Sequence, residues 1–170
     1  MKKLTPKELN ENVFSLIGDG WALAAACDTS LDGRNYNALT VSWGGMGVMW
    51  NKNVFWCFIR PQRYTKKFID ASDVITLSFF DEKYRDALRL CGTKSGRDCD
   101  KLALAGLDAQ VCDDGSVTFR QARLTVKGRK LYSAPIKPEG FTDGKIVSTC
   151  YPGGDFHTEY VYEITDIELQ

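Results

Sequence analysis

Residues 37–68 read NALTVSWGGMGVMWNKNVFWCFIRPQRYTKKF, and three kinds of surface follow one another there without a break. A polar strand-like segment with a hydroxyl on either side of Val41 runs into small and aromatic residues, then an apolar strand, then a basic turn that opens a helix. Strand alternation puts Thr40 and Ser42 on one face and Val41 on the other. Asn37 precedes the regular alternation, so its amide reaches the hydroxyl side only by an irregular approach. Residues 35–48 and 53–59, joined by Trp50, Asn51 and Lys52, predict neighbouring antiparallel strands.

Outward from this stretch, Thr5, Pro6 and Glu8 form a capping-box start, and residues 5–17 predict one helix with Leu9, Val13, Phe14 and Leu16 or Ile17 on its apolar face. Residues 21–27 read as a buried strand before a turn-rich segment at 28–33. Phe68 and Ile69 belong to a short helix that ends at residues 71–73, and residues 74–80 return to strand. Helices are expected at 81–90 and 99–105, with a donor-rich loop at 92–98 between them. The last third predicts strands at 109–112, 121–131 and 160–169 around a Gly/Pro-rich passage at 135–154. Strands outnumber helices without alternating with them, so the pattern favours a mostly β protein, a β-barrel with a few helices, in one domain spanning residues 1–170.

Composition narrows the function. Lys plus Arg and Asp plus Glu balance at 22 each and are interleaved, so no global field favours nucleic acid or an anionic membrane. No apolar run is long enough to span a bilayer and the N-terminal residues lack a signal-peptide pattern, which leads to the expectation of a cytoplasmic protein. The six cysteines show no Cys-x-x-Cys spacing and read as free thiols; with one histidine, His157, no metal site is expected. Gly44, Gly45 and Gly47 lack the dinucleotide-binding spacing, and Gly92-Thr93-Lys94-Ser95-Gly96 fails the phosphate-loop pattern.

Two constellations carry chemistry. Thr40 and Ser42 stand beside Trp43, Met46, Met49 and Trp50, an apolar surface too large to leave in water. Arg60, Arg63, Tyr64 and Thr65 precede a helix start, where guanidiniums, a hydroxyl and backbone amides together favour a phosphate. That turn equally fits a solvated basic connection, and the hydroxyl pair an ordinary strand edge. A flat aromatic ligand with a phosphate tail fits the order in which the surfaces occur.

The runs NALTVSWGGMGVMWNK from Asn37, FIRPQRYT from Phe58, LSFFD from Leu77 and CGTKSGRD from Cys91 occur in this order. Together they resemble the flavin reductase-like, FMN-binding split-barrel family, particularly its flavoredoxin-like branch. Leu39 stands where many relatives have Met in an N-x-M-T signature, an isosteric apolar change. The resemblance implies a homodimer of six-stranded split barrels that binds FMN near the dimer interface. Its activity would be an NADH- or NADPH-dependent oxidoreductase passing electrons to flavin or an onward acceptor, which includes a redox partner protein. The alternative is a flavoredoxin-type FMN electron carrier without a nicotinamide site; a flavin-free barrel serving as an interaction protein is a third reading. By the same resemblance Asn37, Thr40, Val41, Ser42 and Trp43 wall the flavin ring, and Arg60, Arg63, Tyr64 and Thr65 take its phosphate and ribityl chain. Ser78, Phe79 and Phe80 form a strand end that abuts the flavin, and Lys94, Ser95 and Gly96 a loop over it. His157 is expected to orient ligands at the site rather than to act as an acid or base.

Overall fold

A computed structural model of the protein describes residues 2–31 and 35–170. The 32–33 end of the expected turn lies outside the described residues. In chain order these form strands β1 (Lys2–Leu4), β2 (Ala22–Cys27), β3 (Tyr36–Val41), β4 (Gly44–Met49), β5 (Lys52–Ile59), β6 (Val74–Phe79), β7 (Ala109–Val111), β8 (Val117–Phe119), β9 (Leu124–Pro135) and β10 (Thr158–Leu169). The α-helices are α1 (Lys66–Ala71), α2 (Arg85–Thr93), α3 (Lys101–Leu104) and α4 (Gly144–Cys150).

β2 is buried along its whole length, and its alternation explains why. Ala22, Ala24 and Ala26 face the main core, whereas Leu23, Ala25 and Cys27 face a second one. The main core fills the barrel with Leu39, Val41, Phe55, Ile59, Phe68, Ile75, Leu77, Val126, Tyr160 and Tyr162 among others. The second lies outside it, where Leu88, Cys91, Leu102, Val117 and Phe119 cover the sheet. A strand sealed on both faces has no need of polar alternation, and small side chains let both layers approach closely.

The main sheet runs β3-β2-β6-β9-β10-β5-β4, with β1 also paired to β10, while β7 and β8 form a separate hairpin. β2, β3, β5, β6, β9 and β10 wall the interior. β3 and β4 therefore follow one another in the chain yet end the sheet at opposite edges, and Ser42 and Trp43 cross the seam between them. The expected single strand at 35–48 is thus two strands with different partners: β3 pairs antiparallel with β2, and only β4 pairs with β5. The β4–β5 hairpin closes through Trp50 and Asn51 at φ 53° and 58°, the positive pair that a tight two-residue turn requires. The Trp56 indole lies across the β4 glycines, and a Cβ at Gly45 would sit 2.9 Å from its Cε2. Close approach to Trp56 accounts for Gly44 and Gly45.

Three other expectations change. The helix at 5–17 is a 3-10 turn at Pro6–Glu8 and a separate wide turn at Ser15–Asp19. Glu8 does return to the Thr5 amide at 2.8 Å, but Asn12 Oδ1 accepts from the Phe14 amide at 3.1 Å and starts a new segment. α2 runs to Thr93, into the expected loop, with its last carbonyls at Cys91 and Gly92 accepting from Arg63. α4 forms inside the Gly/Pro-rich passage, where the Asp143 carboxylate accepts from the Lys145 amide at 2.9 Å and caps it.

Gly128 in β9 lies under Phe55 and Tyr162, whose rings stack at 5.2 Å. A Cβ there would meet Phe55 Cε1 and come within 2.7 Å of Tyr162 Cβ. Gly128→Ala is therefore expected to destabilise the protein by about 1–3 kcal/mol through overpacking. Urea unfolding followed by far-UV circular dichroism measures it, and an unchanged midpoint would contradict this packing.

Candidate functional site

A cavity of about 250 Å³ opens at the seam, lined by Leu39, Thr40, Val41, Ser42, Trp43, Phe58, Arg60, Arg63 and His157. β3 delivers the first of these and the crossing supplies Ser42 and Trp43. β5 brings Phe58 and, just past its end, Arg60. β10 pairs Thr158 with Ile59, so the register carried one step further sets His157 opposite Arg60. A larger apolar groove of about 760 Å³ shares Ser42 and Trp43 with the cavity and continues along Phe14, Met46 and Trp56. The groove alone falls within the size range of small-molecule sites.

The polar groups are already oriented by the protein. Thr40 Oγ1 donates to the Leu88 carbonyl in α2, leaving its lone pairs for a ligand. Arg63 donates from Nη1 to the Gly92 carbonyl at 2.6 Å and from Nη2 to that of Cys91 at 3.4 Å, capping the C-terminal end of α2. Burial lowers the pKa of this guanidinium from its ordinary value. Arg60 pairs with Asp155, donates to the Cys150 carbonyl at 2.8 Å and lies 5.3 Å from the Tyr151 ring centre. The Gln62 amide and then Arg60 hold the Asp155 carboxyl below the usual range.

His157 is buried and tilts against Trp43 with ring centres 5.0 Å apart. Its Nδ1 lies 2.9 Å from the Tyr151 hydroxyl. Burial first, and Arg60 second, push its pKa down to about 4, against the opposing pull of Asp155.

Other expected residues gather behind this wall. Asn37 is 1 % exposed, and neither its Oδ1 nor its Nδ2 has a hydrogen-bond partner. Gly96 rests on that amide, where a Cβ would stand 2.5 Å from Nδ2. Thr65 is buried and donates to the Ala38 carbonyl at 3.1 Å. Tyr64 has Lys67 Nζ at 4.4 Å and the Arg97 guanidinium at 5.2 Å from its ring centre. Lys94 is exposed, and Ser95 Oγ accepts from the Arg97 amide at 3.2 Å. The basic turn and the 94–97 loop thus converge beside the cavity.

Ser78, Phe79 and Phe80 do not line it. β2 separates their strand from β3; Ser78 faces Thr125 at 3.5 Å, Phe79 fills the barrel and Phe80 the outer core. Leu39 and Phe58 are lining residues that the sequence reading did not assign, although Leu39 sits inside the quoted stretch and Phe58 opens the second run. Tyr151 and Asp155 were missed because a loop brings them to Arg60 and His157, which no periodicity announces.

No protein-family model matches the chain, and no curated protein matches it. Solved structures do. Flavoredoxin of Desulfovibrio vulgaris is 18% identical at a TM-score of 0.68, covering 100% of this chain and 77% of that one. The FMN-binding protein of Thermus thermophilus with bound p-hydroxybenzaldehyde is 16% identical at 0.68, covering 100% and 82%. A protein with a split barrel domain from Shewanella frigidimarina is 13% identical at 0.68, covering 100% and 81%. The chain has the split-barrel fold of these flavin proteins. The expected mostly β split barrel is therefore the observed one. Among the described residues, no helix is long and apolar enough to cross a membrane and no cluster of metal-ligating side chains occurs.

The His157 environment has a consequence for stability. Its pKa of about 4 lies below the unfolded value near 6.5, so between those pH values the unfolded chain binds the extra proton. The contribution is complete above pH 6.5 and declines as pH falls to 4. Urea unfolding at steps from pH 7.5 to 4 is expected to show about one proton taken up on unfolding in this window. His157→Gln should flatten that part of the profile; equal slopes in both proteins would contradict it.

Proposed function

We propose that the protein binds FMN at the seam cavity and works as an oxidoreductase that passes electrons from NADH or NADPH to flavin or an onward acceptor. The carrying observation is the meeting of Trp43, two hydroxyls and two guanidiniums at the seam cavity. It occurs in a fold shared with proteins named flavoredoxin and FMN-binding protein. The donor set fits the cofactor. Asn37 adds a buried amide with unused donors and acceptor, and leaving such a group unpaired costs about 1–3 kcal/mol.

The chemistry supplied by bound flavin is hydride acceptance from a nicotinamide and onward delivery of electrons. Thr40 accepts and Ser42 donates or accepts at the polar edge of the ring, while Leu39, Val41, Trp43 and Phe58 keep water from its faces. Arg60 and Arg63 neutralise the phosphate, with Tyr64, Thr65 and the Lys94-Ser95-Gly96 loop beside them. His157 is neutral at physiological pH, so it orients rather than transfers a proton. A redox partner protein is one class of acceptor.

FMN titration followed by quenching of flavin fluorescence tests this reading. Saturable binding is expected, and Arg60→Ala with Arg63→Ala should weaken it about ten- to a hundredfold, the loss of charge-assisted hydrogen bonds. Absence of saturable binding would sink the proposal. Stopped-flow mixing with NADH or NADPH is expected to bleach the flavin band; without bleaching, the electron-carrier reading replaces the reductase.

The same reading includes a homodimer. Phe14, Trp43, Val48 and Trp50 are 90%, 44%, 75% and 57% exposed. They lie on and around β4, an edge of the sheet. An apolar edge of this kind calls for a covering surface. Sedimentation velocity is expected to report a dimer, and Val48→Glu to shift it towards monomer; a monomer at all concentrations would exclude this face.

A further inference from the structure

We propose that Tyr151 is a positioning residue that fixes His157 as the Nε2–H tautomer, so that the imidazole presents a hydrogen-bond donor to the cavity. Where the acceptor is a flavin carbonyl or ring nitrogen, this rests on the flavin reading above.

The argument starts from the 2.9 Å contact between the Tyr151 hydroxyl and Nδ1. Either partner can donate. Tyr151 is 4 % exposed, and its hydroxyl has no other hydrogen bond among the described residues. If Nδ1 carried the proton, the phenolic hydrogen would be buried without an acceptor. With the phenol donating, both groups are satisfied at once, and the imidazole proton stays on Nε2.

Two features hold Tyr151 in place. It follows α4 and donates its amide to the Val147 carbonyl at 2.9 Å. Its ring stacks on Phe156 at 4.7 Å and edge-on to Trp43 at 6.5 Å. Around the imidazole, Arg60 comes from the end of β5, Asp155 from its own loop, and Tyr151 from the end of α4. The Arg60–Asp155 pair stands between these elements, so the nearest cation and carboxylate offset one another. The imidazole remains neutral, and only its tautomer is left to be decided. Nε2 forms no hydrogen bond among the described residues, while His157 lines the cavity beside Trp43.

His157 is the one histidine in the sequence, which makes its nitrogens directly assignable. Long-range ¹H–¹⁵N spectra of the flavin-free full chain are expected to show an acceptor-type Nδ1 and a protonated Nε2, unchanged from about pH 8 to 5. A protonated Nδ1 would overturn the proposal without needing any variant. Tyr151→Phe is expected to mix the tautomers and to raise the FMN dissociation constant about fivefold, the loss of one oriented neutral hydrogen bond. In a His157→Phe background the same change should have no further effect. An effect that persists there would assign Tyr151 a purely structural role and overturn the positioning role. Failure of FMN to bind removes the flavin reading, while the tautomer spectrum still decides what Tyr151 does.

Discussion

The passage through Ser42 and Trp43 carries the chain from one edge of the sheet to the other, and the cavity exists because the barrel is not hydrogen-bonded shut at that point. β3 is committed to β2 and β4 to β5, so the two residues between them have no ladder partner to share. Their side chains and the ends of β3 and β5 become the walls of an opening. A continuous ladder would have put main-chain hydrogen bonds where the cavity is. The apolar groove and the polar cavity meet there because Ser42 and Trp43 belong to both.

β2, the neighbour of β3 at this seam, is buried on both faces. On the outer face, Ala25 of β2 and Ala38 of β3 share a core with Leu88 and Cys91 of α2, and Thr40 donates to the Leu88 carbonyl. α2 in turn aims its C-terminal carbonyls at Arg63. Arg63 and the carbonyl dipoles at the end of α2 are thus fixed by a packed helix, while Arg60 is held from the 150–155 segment.

Much of the barrel was legible because strand alternation and burial coincide: β2, β5, β6 and β10 lie within a few residues of their expected spans. That the hydroxyls, Trp43 and both arginines would gather at one surface was legible on another ground, since residue types unsuited to a core recur in one short stretch, and they do line one cavity. Partnership was not legible. The run 35–48 keeps strand-forming residues throughout, and only the three-dimensional commitment of β3 to β2 breaks it at the seam. Asn12 splits the expected helix by capping a new segment, in a run whose apolar spacing reads as one continuous helix. The Tyr151–His157 and Arg60–Asp155 contacts depend on how the 135–157 passage returns to β5, and a single sequence without regular periodicity holds no record of that path.

The way the arginines are held bears on how a phosphate would be recognised. Arg60 and Arg63 each have protein acceptors already, yet a guanidinium has five N–H donors, and the contacts described engage only part of each fork. Pre-existing contacts lower the entropy lost when the remaining donors meet an anion, which favours binding through orientation rather than through added charge. Asp155 works in the opposite direction by offsetting the field of Arg60. The net result is a site of modest positive potential with well-aimed donors, suited on the proposed reading to one phosphate attached to a flat ring and poorly suited to polyanions. Recognition would then rest on the joint fit of ring and phosphate, because neither half of the cavity offers enough alone.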